Sequence, residues 1–126
     1  MSLSTNYEKF WATGDQNLAE KIFSTNVQYT FNLVKINGKE AVINHILERK
    51  RKDNVHYVIS DVSTSPELEF HKWNAKATLN EKFGNFLPTN KEFSYSGLTL
   101  LRTKNDVISE IIMYSDIDEV LGKQSK

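Results

Sequence analysis

Between Val55 and Asp116 the chain carries no helical period. Four stretches, VHYVISDVSTS, ELEFHKWNAKATLNEKF, KEFSYSGLTLLRT and DVISEIIMYSD, are rich in β-branched and aromatic residues and read as long strands. In the second of these the odd positions are His71, Trp73, Ala75, Ala77 and Leu79, and the even positions Lys72, Asn74, Lys76 and Thr78. Successive side chains of a strand point to opposite faces, so the odd face is the one that must be covered.

The front of the chain supplies the cover. Tyr7, Phe10 and Trp11 recur at helical spacing, Gly14 can close that helix in the left-handed conformation, and Asp15 can cap the next. QNLAEKIFS presents Leu18, Ala19, Ile22 and Phe23 as one apolar face. VQYTFNL then alternates Val27, Tyr29, Phe31 and Leu33 against polar residues, as a half-buried strand does. After KING, the segment KEAVINHILERKR places Val42, Ile43, Ile46 and Leu47 on one helical stripe. Helices first and a long strand meander afterwards predict a single α+β domain over residues 1–126, with the helices on one face of a curved antiparallel sheet.

The last two strands flank a turn around Lys104, Asn105 and Asp106. A tight register there pairs odd residues of one strand with even residues of the other. Tyr95, Gly97, Thr99 and Leu101 are then expected to share the inner face with Ile108, Glu110, Ile112, Tyr114 and Asp116. Leu98, Leu100, Ile111 and Met113 are expected on the outer face, where an apolar cluster needs a partner; a second copy of the chain is the simplest.

Lys plus Arg and Asp plus Glu number 16 each, so no global field favours nucleic acid or anionic lipid. The one basic run, ERKRKD at 48–53, falls in the last turns of a helix, where cations complement the macrodipole. There is no cysteine, hence no disulfide framework and no thiolate metal site, which fits a cytoplasmic protein. The N-terminus has no basic and apolar leader, and no apolar run approaches the roughly 18 residues of a membrane span. His45 and His56 lack partners at metal-ligand spacing, so neither a metal nor another cofactor is expected.

The order and spacing of several segments resemble the SnoaL-like polyketide cyclase family, within the nuclear transport factor 2-like superfamily. They are FWATGD (10–15), AEKIFSTNVQY (19–29), GKEAVINHI (38–46), FGNFLPTNKEFSYSG (83–97) and VISEIIMYSD (107–116). The family's glycine-phenylalanine-proline-threonine loop is matched by Pro88 and Thr89, and the glycine after it by Gly97. The resemblance implies a cone-shaped sheet around a long helix, an apolar pocket inside and a dimer. It also implies an acid/base Asp at the end of the last strand, the position of Asp116. Two departures stand out: Leu79 occupies the place of a pocket-facing His in many relatives, and Asn26 and Thr30 replace acidic and imidazole positions of the early strand.

The expected ligand is therefore a small apolar or aromatic molecule, bounded by Tyr29, Trp73, Leu79, Phe86, Tyr95 and Tyr114 and roofed by the loop around Pro88. With inward parity, Asp116 is the candidate general base of a cofactor-free cyclase or isomerase; alternatively it caps the terminal turn IDEVLG, for which Asp118 is the other candidate. The tyrosine hydroxyls can donate to a ligand oxygen or serve as satisfied core groups. His71 shares Trp73's parity and is either a proton carrier or solvated at the rim. A non-catalytic ligand-binding or dimerisation module is the alternative function.

Overall fold

Two residues set the first corner of the chain. The computed structural model describes residues 3–53, 55–78, 80, 86–88 and 90–124. Helix α1 (Leu3–Thr13) ends where Gly14 takes φ +72°, a conformation glycine adopts at no steric cost, and the Gly14 amide donates to the Phe10 carbonyl at 2.8 Å. Asp15 then caps α2 (Gln16–Ile22), its Oδ1 accepting from the amides of Asn17 and Leu18 at 3.0 and 3.3 Å.

Strand β1 (Phe23–Phe31) follows directly and buries Val27 and Tyr29. The expected alternation stops one step before Leu33. Asn32 enters the left-handed region at φ 52° and the chain reverses into a short strand β2 (Val34–Asn37), leaving Leu33 94% exposed at the tip. Asn32 is held there by β6, described below: its amide donates to the Met113 carbonyl and its Oδ1 accepts from the Ser115 amide, both at 2.9 Å. Helix α3 (Lys39–Asp53) buries Val42, Ile43 and Ile46 and ends in Lys50, Arg51 and Lys52, as its stripe and charge pattern predict.

Strands β3 (His56–Ser65), β4 (Leu68–Thr78), β5 (Glu92–Lys104) and β6 (Val107–Ser115) form the meander, and α4 (Ile117–Gln124) closes the chain. The six strands make one curved, unclosed sheet in the order β2-β1-β6-β5-β4-β3; β1 runs parallel to β6 and every other pair is antiparallel. Phe10, Ile22 and Ile46 of the helices join Tyr29, Trp73, Tyr95, Leu101 and Ile111 of the sheet in one core.

The β5–β6 register corrects the expected faces. At the turn, Asn105 and Asp106 both have positive φ, as a two-residue I′ hairpin requires, and Lys104 pairs with Val107 and Thr103 with Ile108. Ser109 is then inserted as a bulge, so that Arg102 pairs with Glu110 and Leu101 with Ile111. Odd residues face odd residues from that point on. Ile111 and Met113 therefore lie in the core, 0% and 1% exposed, whereas Tyr114 lies outside at 61%. The Ser109 hydroxyl donates to the Arg102 carbonyl at 3.2 Å. A second serine bulge, Ser60 in β3, does the same to the Lys72 carbonyl at 3.1 Å.

The outer face consequently carries a different apolar row from the one expected. Leu98 pairs with Tyr114, and Leu100 with Phe70 on one side and Ile112 on the other. Phe70, Leu98 and Tyr114 are exposed, with Leu100 and Ile112 half-buried between them. On the inner side Gly97 is the tight point: a Cβ there would meet the Tyr114 carbonyl oxygen and the Trp73 ring. Gly97→Ala should therefore destabilise the fold by about 1–3 kcal/mol, read as a lower urea midpoint at unchanged slope.

Candidate functional site

The inner face is crossed by a series of rings in contact. Trp11 of α1 meets Tyr57 of β3 with ring centroids 4.7 Å apart, Tyr57 meets Trp73 at 4.9 Å, and Trp73 meets Tyr95 at 5.7 Å, each edge to face. Phe93 stacks on Tyr95 at 5.5 Å. Trp73 donates its indole N–H to the Thr99 hydroxyl at 2.8 Å. Burial holds the Tyr57 hydroxyl well above the ordinary phenol range, so it stays a neutral donor.

Next to this series, under α1, lies a small cavity of about 20 Å³, room for one water. Tyr7, Glu8 and Trp11 close it from α1, Tyr57 and Ile59 from β3, His71 and Trp73 from β4, with Thr99 and Met113 from β5 and β6. A second hollow of about 110 Å³ shares Glu8, Trp11 and Tyr57 with it, so those three side chains stand between the two. Met113 Sδ accepts from the Tyr29 hydroxyl at 3.3 Å and lies 3.7 Å from that of Tyr7. Both phenols are raised by burial.

His71 is the imidazole of this cavity. It is 1% exposed, and among the described residues its Nε2 has no hydrogen-bond partner; the Glu69 Oε2, buried as well, stands 3.7 Å away, beyond hydrogen-bond length. Desolvation pushes the imidazole below its usual range, while Glu69, and more weakly Glu8, push it back up. The larger grooves differ in kind. One of about 920 Å³ between α2 and α3 is lined by polar residues, many of them exposed, such as Gln16, Asn17, Glu20 and Asn44.

The expected site residues fall into separate places. Tyr29, Trp73 and Tyr95 are inside, and Trp73 alone of these lines the cavity. Phe86 packs against the core without lining the cavity. Leu79, Phe83 and Thr89 lie outside the described residues. Tyr114 is on the outer face, because the Ser109 bulge reverses its parity. Asp116 is exposed in an outer groove of about 470 Å³ with His56, Asn74, Lys76 and Ser94. Its Oδ1 accepts from the Ser96 amide at 2.8 Å and its Oδ2 from the Ser96 hydroxyl at 3.3 Å, while its own amide donates to the Ser96 carbonyl at 3.2 Å. The carboxylate thus latches β5 rather than capping α4, whose first amide is bonded by the Ser115 hydroxyl at 3.0 Å.

His71 lies inside rather than at the rim, since α1 reaches over that end of β4. Glu69 was not singled out from the sequence, although its odd number places it on His71's face. Among the described residues no group of three His, Cys, Asp or Glu side chains can hold a metal ion, and no helix is long and apolar enough to cross a membrane.

The family model for SnoaL-like polyketide cyclases matches residues 2–121. A candidate SnoaL-like polyketide cyclase from Jannaschia sp. CCS1 superposes with a TM-score of 0.82 at 11% identity, covering 94% of this chain and 88% of that one. IdmH, a candidate polyketide cyclase from Streptomyces antibioticus, gives 0.80 at 13% identity over 98% and 96% of the two chains. A Catenulispora acidiphila protein with a ketosteroid isomerase-like fold, crystallised with trimethylamine, gives 0.79 at 17% over 98% and 92%. No curated protein matches the sequence.

The buried imidazoles make stability pH-dependent in a stated direction. His71 and the half-buried His45 are both lowered, each chiefly by desolvation, so the unfolded chain binds protons that the folded chain does not. Their contribution is present above the unfolded value of about 6.5 and is lost as pH falls from there towards the folded values. Thermal unfolding should shift downward between pH 7.5 and 5, and His71→Gln should flatten part of that fall.

Proposed function

The chain belongs to the SnoaL-like polyketide cyclase family, and on that premise we propose that it binds a small apolar ligand with an aromatic ring or a carbonyl group between α1 and the sheet. No cofactor takes part in this reading. The observation that carries it is the uninterrupted aromatic wall Trp11–Tyr57–Trp73–Tyr95 beside a cavity that Trp11, with Glu8 and Tyr57, separates from a second hollow. A ligand ring takes the place of the Trp11 indole against the edge of Tyr57, so binding exchanges one aromatic contact for another. Such an opening is required, because the cavity as it stands holds no more than one water.

An acid/base role for Asp116 has the weaker geometric support. Both of its oxygens are engaged by Ser96 on the exposed side of the sheet. The polyketide cyclases named among the structural neighbours make a carbonyl compound the natural ligand class, and a cytoplasmic setting suits a chain without cysteine. The probe of choice is 2-acetonaphthone, an aromatic methyl ketone. It should perturb the side-chain resonances of Trp11, Tyr57 and Trp73 in the full-length protein, and Trp11→Leu should tighten binding by about tenfold, the worth of roughly 1.4 kcal/mol for a door no longer to be opened. Resonances that stay put at millimolar probe would end this reading.

A second copy is the proposed partner of the outer face. The row Phe70, Leu98, Leu100, Ile112 and Tyr114 is a contiguous apolar strip on an uncovered sheet, and isologous pairing buries it on both copies. Leu98 and Leu100 keep the place expected for them, while Ile112 and Tyr114 replace the core residues Ile111 and Met113. Leu98→Lys combined with Phe70→Lys should convert a dimer to a monomer in light scattering; a mass unaffected by the pair would rule the interface out.

A further inference from the structure

The strongest unexplained feature inside the fold is a pair of buried polar atoms facing each other at 3.7 Å, His71 Nε2 and Glu69 Oε2, neither with a hydrogen bond among the described residues. Buried polar groups are bonded in the great majority of cases, and those left open at a cavity are candidates for contact with a ligand. His71 lines the cavity, whereas the carboxylate expected to do chemistry, Asp116, stands on the other side of the sheet.

We propose that His71 is the proton-transfer residue of this site, its Nε2 taking a proton from the carbon next to a bound carbonyl while Glu69 stabilises the imidazolium so formed. The proposal rests on the ligand reading above and adds to it a catalytic residue. The C–H bond breaks, its proton goes to Nε2, and its electron pair passes into the new carbon–carbon double bond as the carbonyl π pair moves to oxygen. Return of the proton from Nε2 to the same carbon, or to another carbon of the conjugated system, closes the cycle, so the step consumes nothing and needs no co-reactant.

The surroundings suit both halves of the step. Between turnovers burial keeps the imidazole neutral and so able to accept, and once it is protonated Glu69 on β4 and Glu8 on α1 are the charges facing it. Thr99 and Met113, from the neighbouring strands, bring no charge. Tyr7 and Tyr57 are the other titratable groups of the cavity, and burial raises both phenols, which leaves them neutral donors. The Tyr7 hydroxyl donates to the Met113 sulfur at 3.7 Å, a weak bond that an enolate oxygen replaces with gain.

Deuterium incorporation at the methyl group of 2-acetonaphthone in D2O, followed by NMR with full-length protein, tests this directly. Wild type should accelerate incorporation over buffer. His71→Gln should lose that acceleration by about 100-fold or more while still binding the probe. Glu69→Gln should move the acid limb of the rate profile to lower pH, because the charge that raises the imidazole has gone; a merely structural Glu69 leaves the limb in place. If His71→Gln fails to fold, as judged by circular dichroism, the Glu69→Gln limb decides. Wild type that binds the probe without exchange, His71→Gln that exchanges at the wild-type rate, or loss of exchange in Asp116→Asn alone would each overturn the inference and leave the ligand reading intact. Wild type that does not bind the probe overturns both.

Discussion

Trp73 is the side chain on which the interior is assembled. It projects from β4 onto the face that the helices cover, lays its ring against Gly97 of β5, and spends its one polar atom on Thr99 two residues further along the same strand. Each contact needs the others. Without the missing Cβ at Gly97 the indole could not lie flat enough to reach Thr99, and without Thr99 a buried N–H would be left unbonded at a cost of about 1–3 kcal/mol. Tyr57 and Tyr95 then meet its faces and edges from the two adjacent strands, and Trp11 brings α1 down onto Tyr57. The packing of the first helix on the sheet thus follows from one tryptophan in a middle strand.

The two serine bulges determine what the sheet shows on each side. Ser60 and Ser109 each insert one residue and turn their hydroxyl back to the carbonyl across the strand. A bulge reverses every side chain beyond it. The insertion at Ser109 carries Ile111 and Met113 into the core, where Met113 serves two tyrosine hydroxyls, and sends Ile112 and Tyr114 outward to complete a row with Phe70, Leu98 and Leu100. Interior and outer surface are two consequences of the same extra residue.

A family fold with an almost filled interior has a chemical consequence. An aromatic wall with few polar groups makes each polar group that remains count for more, because the local dielectric is low. His71 and Glu69 are such groups. For the imidazole two effects oppose each other: burial, the larger, lowers it below its usual range, and the neighbouring carboxylate offsets part of that. Asp116 is the reverse case: in the open and bonded on both oxygens, its carboxylate ties the end of β6 to β5.

Local chemistry was enough for much of this chain. Gly14 and Asp15 make the helix corner wherever they occur, the spacing of Val42, Ile43 and Ile46 makes a buried helical stripe, and the alternation from His71 to Ala77 assigns the inner face of β4, since each signal acts within one element. The order of segments along the chain was sufficient for the family. What the sequence could not decide was everything that depends on pairing. Nothing in DVISEIIMYSD marks Ser109 as a bulge rather than one more strand residue, because a bulge exists only against the partner strand; the face of Tyr114 and the make-up of the outer apolar row changed with it. His71 and Asp116 exchanged places for the same kind of reason: reach of α1 over one end of β4, and a bond from Ser96 across the sheet, are properties of the assembled fold, where distance in space replaces distance along the chain.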